Sequence, residues 1–122
     1  MRLGRAILFV KDLAAMEAFY GHALGLTVVE RELGWVAFDA GGTELALHAI
    51  PDEIARQITI SSPPEPRGET PLKLAFVVPE VASTFERLVR QGVSMSEPRT
   101  SGARTYCDGL DPEGNVFQIT NA

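Results

Sequence analysis

Two short stretches carry polar side chains in positions that could do chemistry. In TELALHAI, residues 43–50, Glu44, Ala46 and His48 alternate with Leu45 and Leu47. An extended chain therefore places the carboxylate and the imidazole on one face and the leucines on the other. Glu44 could accept a proton or pair with a cation. His48 reads either as a partly exposed hydrogen-bonding group or as a base or ligand. In NVFQIT, residues 115–120, the same alternation turns Gln118 away from Phe117 and Ile119. Its neutral amide both donates and accepts, but it brings no charge. With the leucines, Phe117 and Ile119 in a core, Glu44, His48 and Gln118 would face a cavity.

Positioning these groups requires strands, and the rest of the chain supplies them. RAILFV, residues 5–10, is an apolar run of strand formers. It is followed by Asp12 as an N-cap, by Leu13, Met16, Phe19, Tyr20, Ala23 and Leu24 at helical spacing, and by Gly25 at the helix end. LTVVERE, GWVAFDA and TELALHAI read as three strands, with Gly34 in the first connection and Gly41-Gly42 in a hairpin turn. Residues 51–71 hold five prolines and read as a linker with room for one short strand at 58–60. The pattern then returns. LKLAFVV is a strand, Pro79-Glu80 opens a helix with Val81, Phe85, Leu88 and Val89 on its apolar face, and Gly92 ends it. Strands around VSMSEP and ARTYCDG, the turn at 111–114 and the strand NVFQIT complete a second β-α-β-β-β unit. Superposing the repeats sets Arg5 on Lys73, Val10 on Val78 and Asp12 on Glu80. Such repeats pair to bury faces that neither covers alone.

The chain of 122 residues, 45% hydrophobic and 22% charged, fits one soluble globular domain. The expected organisation is a single domain over 1–122, with module one at about 1–50, the linker at 51–71 and module two at about 72–122. A net charge of −5 and the absence of a basic stripe argue against nucleic acid as a partner. Apolar stretches are strand-sized, which argues against a membrane, and the start MRLGRAILFVKD lacks a signal-peptide core. The expected location is cytoplasmic. The one cysteine, Cys107, cannot form an intramolecular disulfide, and reads as a small buried hydrophobe or a reactive thiol. His22, on the first helix, reads as a surface residue, so the two histidines make no metal triad.

Taken together, RAILFVKDLAAMEAFYGHALGL, GWVAFDAGGTELALH, LKLAFVVPEVASTFERLVRQG and DPEGNVFQI resemble the vicinal oxygen chelate superfamily of glyoxalases, bleomycin resistance proteins and extradiol dioxygenases. The resemblance spans nearly the whole chain. It implies an α+β fold in which two βαβββ modules form a curled mixed sheet around an open cavity with helices outside. For a chain this short it also implies a homodimer.

Metal-dependent members of that superfamily place ligands on the first and last strands of each module. Carried over residue by residue, the first-strand positions are Arg5 and Lys73, and neither cation is a ligand. On the last strands the positions are Glu44 or, if the modules are aligned by their turn glycines, Ala46, and then Gln118. No metal and no cofactor are therefore expected. Arg5 or Lys73 would instead make charge-assisted contacts with Glu44, leaving a locally positive site for an anionic or carbonyl-bearing molecule. Alternatively both cations stand at strand starts and reach into water. Trp35, Phe9 and Tyr106 could supply aromatic walls.

Three functions remain open at this stage. The first is metal-free binding of a small organic molecule in a cavity at a dimer interface, using Arg5, Glu44, His48, Lys73 and Gln118. The second is an enzyme: a metal-independent lyase or isomerase with Glu44 as base, or a metal enzyme with the non-standard ligands Glu44, His48 and Gln118. The third is a purely structural or interaction role, because fold does not determine function.

Overall fold

The computed structural model describes residues 1–121. It shows a mixed α+β fold with two four-stranded mixed sheets, each in its own unit, residues 1–59 and the described residues from 60 onward.

In the first unit β1 (Arg5–Val10) leads into α1 (Leu13–Ala18) and a π-helical turn (Phe19–Ala23). The Asp12 side chain accepts the Ala15 N–H at 3.0 Å, so the cap expected from sequence is made. β2 (Thr27–Glu32), β3 (Trp35–Asp39) and β4 (Glu44–Ala49) follow. They assemble in the order β1-β4-β3-β2, with β1 parallel to β4 and the other pairs antiparallel. A Cβ on Gly21 would lie 3.3 Å from the Phe38 ring, so the helical segment packs on the face that carries Phe38 and its cross-strand partner Leu45. Met16, Tyr20, Val36, Phe38, Leu45 and Leu47 are buried there. The other face carries Arg5, Ile7 and Phe9, paired in register with Glu44, Ala46 and His48.

The second unit repeats this plan. β5 (Leu74–Val77), α3 (Val81–Arg90), β6 (Arg99–Ser101), β7 (Arg104–Leu110) and β8 (Val116–Thr120) give a sheet ordered β5-β8-β7-β6. Val81, Leu88, Cys107, Phe117 and Ile119 form its buried core.

Two expectations change. The apolar patch at 58–60 forms no strand. The patch follows the short helix α2 (Asp52–Ala55): the Ile58 N–H bonds back to the Ala55 carbonyl, and the Ile58 carbonyl accepts a bond from Lys11 Nζ rather than a ladder partner. The stretch VSMSEP is also not one strand. Ser94 and Ser96 bond to Leu110 and Asp108 around a single Met95–Gly109 bridge, and pairing resumes only at Arg99. Pro98, which has no N–H to donate, falls at the break.

Candidate functional site

β1 and β4 run side by side with Arg5 opposite Glu44. Both Arg5 Nε (2.8 Å) and Nη2 (2.6 Å) donate to Glu44 Oε1. The guanidinium carbon lies 5.2 Å from the Trp35 ring centre, and Trp35 Nε1 donates to Glu30. Aromatic contact continues along the face: His48 lies 5.6 Å from Trp35 and 5.5 Å from Phe9, ring centre to ring centre. A cavity of about 570 Å³ is lined by Arg2, Arg5, Val29, Asp39, Thr43 and Glu44. Glu44 and His48 share the face, as alternation requires, but they stand about 13 Å apart along the strand. They are thus too far apart to ligate one ion.

In the second unit Lys73 does not reach a glutamate. Its Nζ lies 3.0 Å from Asp108 Oδ2 on β7, and Gln118 Nε2 donates to Asp108 Oδ1 at 3.1 Å. Asp108 therefore organises this face, and the sequence reading passed it over. The signal was present: Tyr106 and Asp108 flank the buried Cys107, so their side chains share the opposite face. The carboxylate also changes the electrostatics. In the first unit Arg5 is offset by Glu44 and in the second Lys73 is offset by Asp108, so neither pair by itself carries the expected positive excess.

The pairing registers settle the equivalence of the modules. Ala6 pairs with Leu45, and Leu74 pairs with Phe117, so Ala46 corresponds to Gln118 and Glu44 to Val116. Alignment by the turn glycines is the one that the ladders follow.

Of the remaining titratable groups, Cys107 is buried on the core side of β7. Burial first, then the carboxylates of Asp108 and Glu97, hold its thiol above the ordinary value. His22 is exposed, as expected. Among the described residues, no three His, Cys, Asp or Glu side chains gather closely enough to hold a metal ion, and no helix is long and apolar enough to cross a membrane.

The model of the Glyoxalase/Bleomycin resistance protein/Dioxygenase superfamily matches residues 2–119. The chain belongs to this superfamily. Solved structures agree with that placement. A glyoxalase/bleomycin resistance protein/dioxygenase from Nocardioides is 25% identical, with a TM-score of 0.71 over 98% of this chain and 82% of the other. Lactoylglutathione lyase from Agrobacterium tumefaciens is 23% identical, with a TM-score of 0.73 over 98% and 92% of the two chains. An integron cassette protein from the mobile metagenome of V. cholerae is 24% identical, with a TM-score of 0.70 over 98% and 94%. No curated protein matches this superfamily member in sequence. For the two relatives below 25% identity, the likeness speaks to the glyoxalase-type fold and not to a shared substrate.

Proposed function

We propose that this superfamily member binds a small organic molecule without a metal, in a cavity at the interface of a cytoplasmic homodimer. The observation that carries the reading is that Arg5 and Lys73, at the first-strand positions, each already hold a carboxylate, Glu44 and Asp108. A divalent ion does not fit this donor set. A guanidinium and an ammonium cannot ligate it, and each would repel it. Protein charges offset one another where metal-dependent members of the superfamily are expected to use an ion. Large apolar side chains support the dimer: Phe9 is 63% and Val77 70% exposed, and a second copy would cover them.

Metal analysis of protein purified without tag or chelator, followed by thermal melts with zinc, nickel, manganese and ferrous ions, tests the reading. Near-zero occupancy and unmoved melts are expected, since an ion bound to the native state must stabilise it. A stoichiometric ion would overturn the metal-free assignment. Light scattering during gel filtration tests the dimer, and a monomer at micromolar concentration would remove that part.

One observation favours a second reading. Both Arg5 contacts fall on Glu44 Oε1, and Oε2 has no partner among the described residues while Glu44 lines the first cavity. That oxygen could take a proton from a carbon acid, with Arg5 stabilising the resulting oxyanion. Exchange of α-hydrogens in a panel of 2-oxo acids and hydroxyketones into D2O, followed by NMR, would reveal it. Exchange that persists in Glu44→Gln would exclude Glu44 as the base.

A further inference from the structure

Beside the Lys73–Asp108 pair, which Gln118 touches, the second sheet ends in a cavity of about 780 Å³ lined by Ser101, Ala103, Arg104, Tyr106, Gln118 and Asn121. β6 and β7 pair with Arg99 opposite Tyr106 and Ser101 opposite Arg104. Cross-strand partners share a face. Arg99, Ser101, Arg104 and Tyr106 therefore project together, and the hydroxyls of Thr100 and Thr105, 3.3 Å apart, occupy the other side.

Two arginines project from this end of the sheet. Arg5, Arg31, Arg67 and Lys73 all pair with carboxylates. Among the described residues, Arg99 and Arg104 have no such partner. Asp108, on the same face of β7 as Tyr106, is taken by Lys73 and Gln118. Two arginines without a carboxylate partner thus stand diagonally across β6 and β7, Arg104 on the cavity wall and Arg99 on the same face beyond it, on a chain whose net charge is −5.

The surroundings are held in place. Asn121 receives the Thr105 N–H at 2.9 Å and donates to the Ala103 carbonyl at 3.1 Å, tying the β6–β7 turn to the end of β8. Gln118 commits its N–H to Asp108, so its Oε1 remains as an acceptor on the cavity wall. Tyr106 is half-buried and offers a ring face rather than a mobile chain.

We propose that this end of the second sheet is an oxyanion subsite, in which Arg104 and Arg99 hold the acid group of a planar organic molecule whose ring lies against Tyr106. The proposal rests on the reading of a metal-free binder of small organic molecules and adds the charge and shape of the ligand. Guanidinium forks match carboxylate and phosphate oxygens in a plane, and the Ser101 hydroxyl can supply a further donor. The Gln118 carbonyl selects a ligand with a donor on its far edge.

The test is calorimetric titration of the full chain with benzoate and phenyl phosphate, against benzyl alcohol and benzylammonium as neutral and cationic probes. The two anions are expected to bind and the other two to bind much more weakly. Arg104→Gln should weaken the anions by about tenfold or more, the loss of one charge-assisted contact. Arg90→Gln on α3, which removes the same charge elsewhere, should leave them unchanged. Both arginines are exposed, and melting curves check that the variants fold. Equal affinity for all four probes, or anion affinity unchanged in Arg104→Gln, overturns the subsite while leaving small-molecule binding intact. No binding of either anion also overturns it. The wider metal-free reading fails separately, through metal content and divalent-ion melts.

Discussion

Lys73 and Asp108 form an ion pair across the second sheet, Nζ to Oδ2 at 3.0 Å, although 35 residues separate them in the chain. Gln118 completes the group by donating to the other Asp108 oxygen. This explains why the inward position of the last strand carries an amide: a carboxylate there would meet a second carboxylate instead of bonding to it. Gln118→Glu should destabilise the protein by about 1 kcal/mol at neutral pH, because the site is only partly buried and solvent screens the repulsion. Adding Asp108→Asn should restore most of the loss in a double-mutant cycle followed by urea unfolding. A Gln118→Glu protein as stable as the parent would contradict the assigned contact.

Asp111 should be the most sensitive polar residue of the second unit. It is fully buried; its Oδ1 accepts the N–H groups of Glu113 (2.9 Å) and Asn115 (3.0 Å), and its Oδ2 accepts Asn115 Nδ2 at 2.8 Å. Asp111→Ala strands those donors and should cost about 2–4 kcal/mol in urea unfolding. A loss below 0.5 kcal/mol, roughly that of a neutral surface substitution, would mean that the turn finds other partners.

Gly114 and Gly102 allow backbone conformation to be separated from steric contact. Both have positive φ, +81° and +61°. A Cβ at Gly102 would meet nothing, whereas at Gly114 it would stand 2.2 Å from the Glu65 carbonyl oxygen. The segment there is tied down by Arg67, whose N–H bonds to the Gly114 carbonyl at 2.9 Å and whose Nε bonds to that of Glu113 at 3.0 Å. Gly102→Ala should cost about 1 kcal/mol, and Gly114→Ala about 3 kcal/mol. Equal losses would show that the strap moves aside freely.

The Cys107 thiol is raised by burial, with Asp108 and Glu97 adding to it. A raised folded-state value means that the neutral thiol contributes its stability below the unfolded value, near 8.5, and loses it as pH rises through the folded one. Stability should therefore decline above about pH 8.5 more steeply in the parent than in Cys107→Ala. At pH 7 a thiol reagent should label Cys107 only after unfolding. Rapid labelling of the native protein would place the thiol at the surface.

Local chemistry made much of the fold legible. The run RAILFV, the Asp12 cap, the turn glycines at 25, 34, 41, 42 and 92, and the two-residue alternation in β4 and β8 all act over a few residues, so their consequences can be read in order along the chain. Repetition of those signals also carried the two-module plan and, with it, the superfamily. Alternation placed Glu44 and His48 on one face and turned Gln118 away from the core.

What lay beyond the sequence was which partner each cation takes across the sheet: alternation left Arg5 and Lys73 as equal candidates for Glu44 and did not point to Asp108. Arg5 meets Glu44 because β1 lies parallel to β4 in that register, and Lys73 meets Asp108 because β7 flanks β8. Neither pairing leaves a mark in the linear pattern, since a two-residue slip of register preserves the same inward and outward faces. The same cause explains the patch at 58–60: its isoleucines have strand propensity, but a strand exists only where a neighbour supplies the ladder. Propensity and periodicity are local properties of a chain. Charge compensation, and with it the character of the candidate site, depends on distances that only the folded sheets determine.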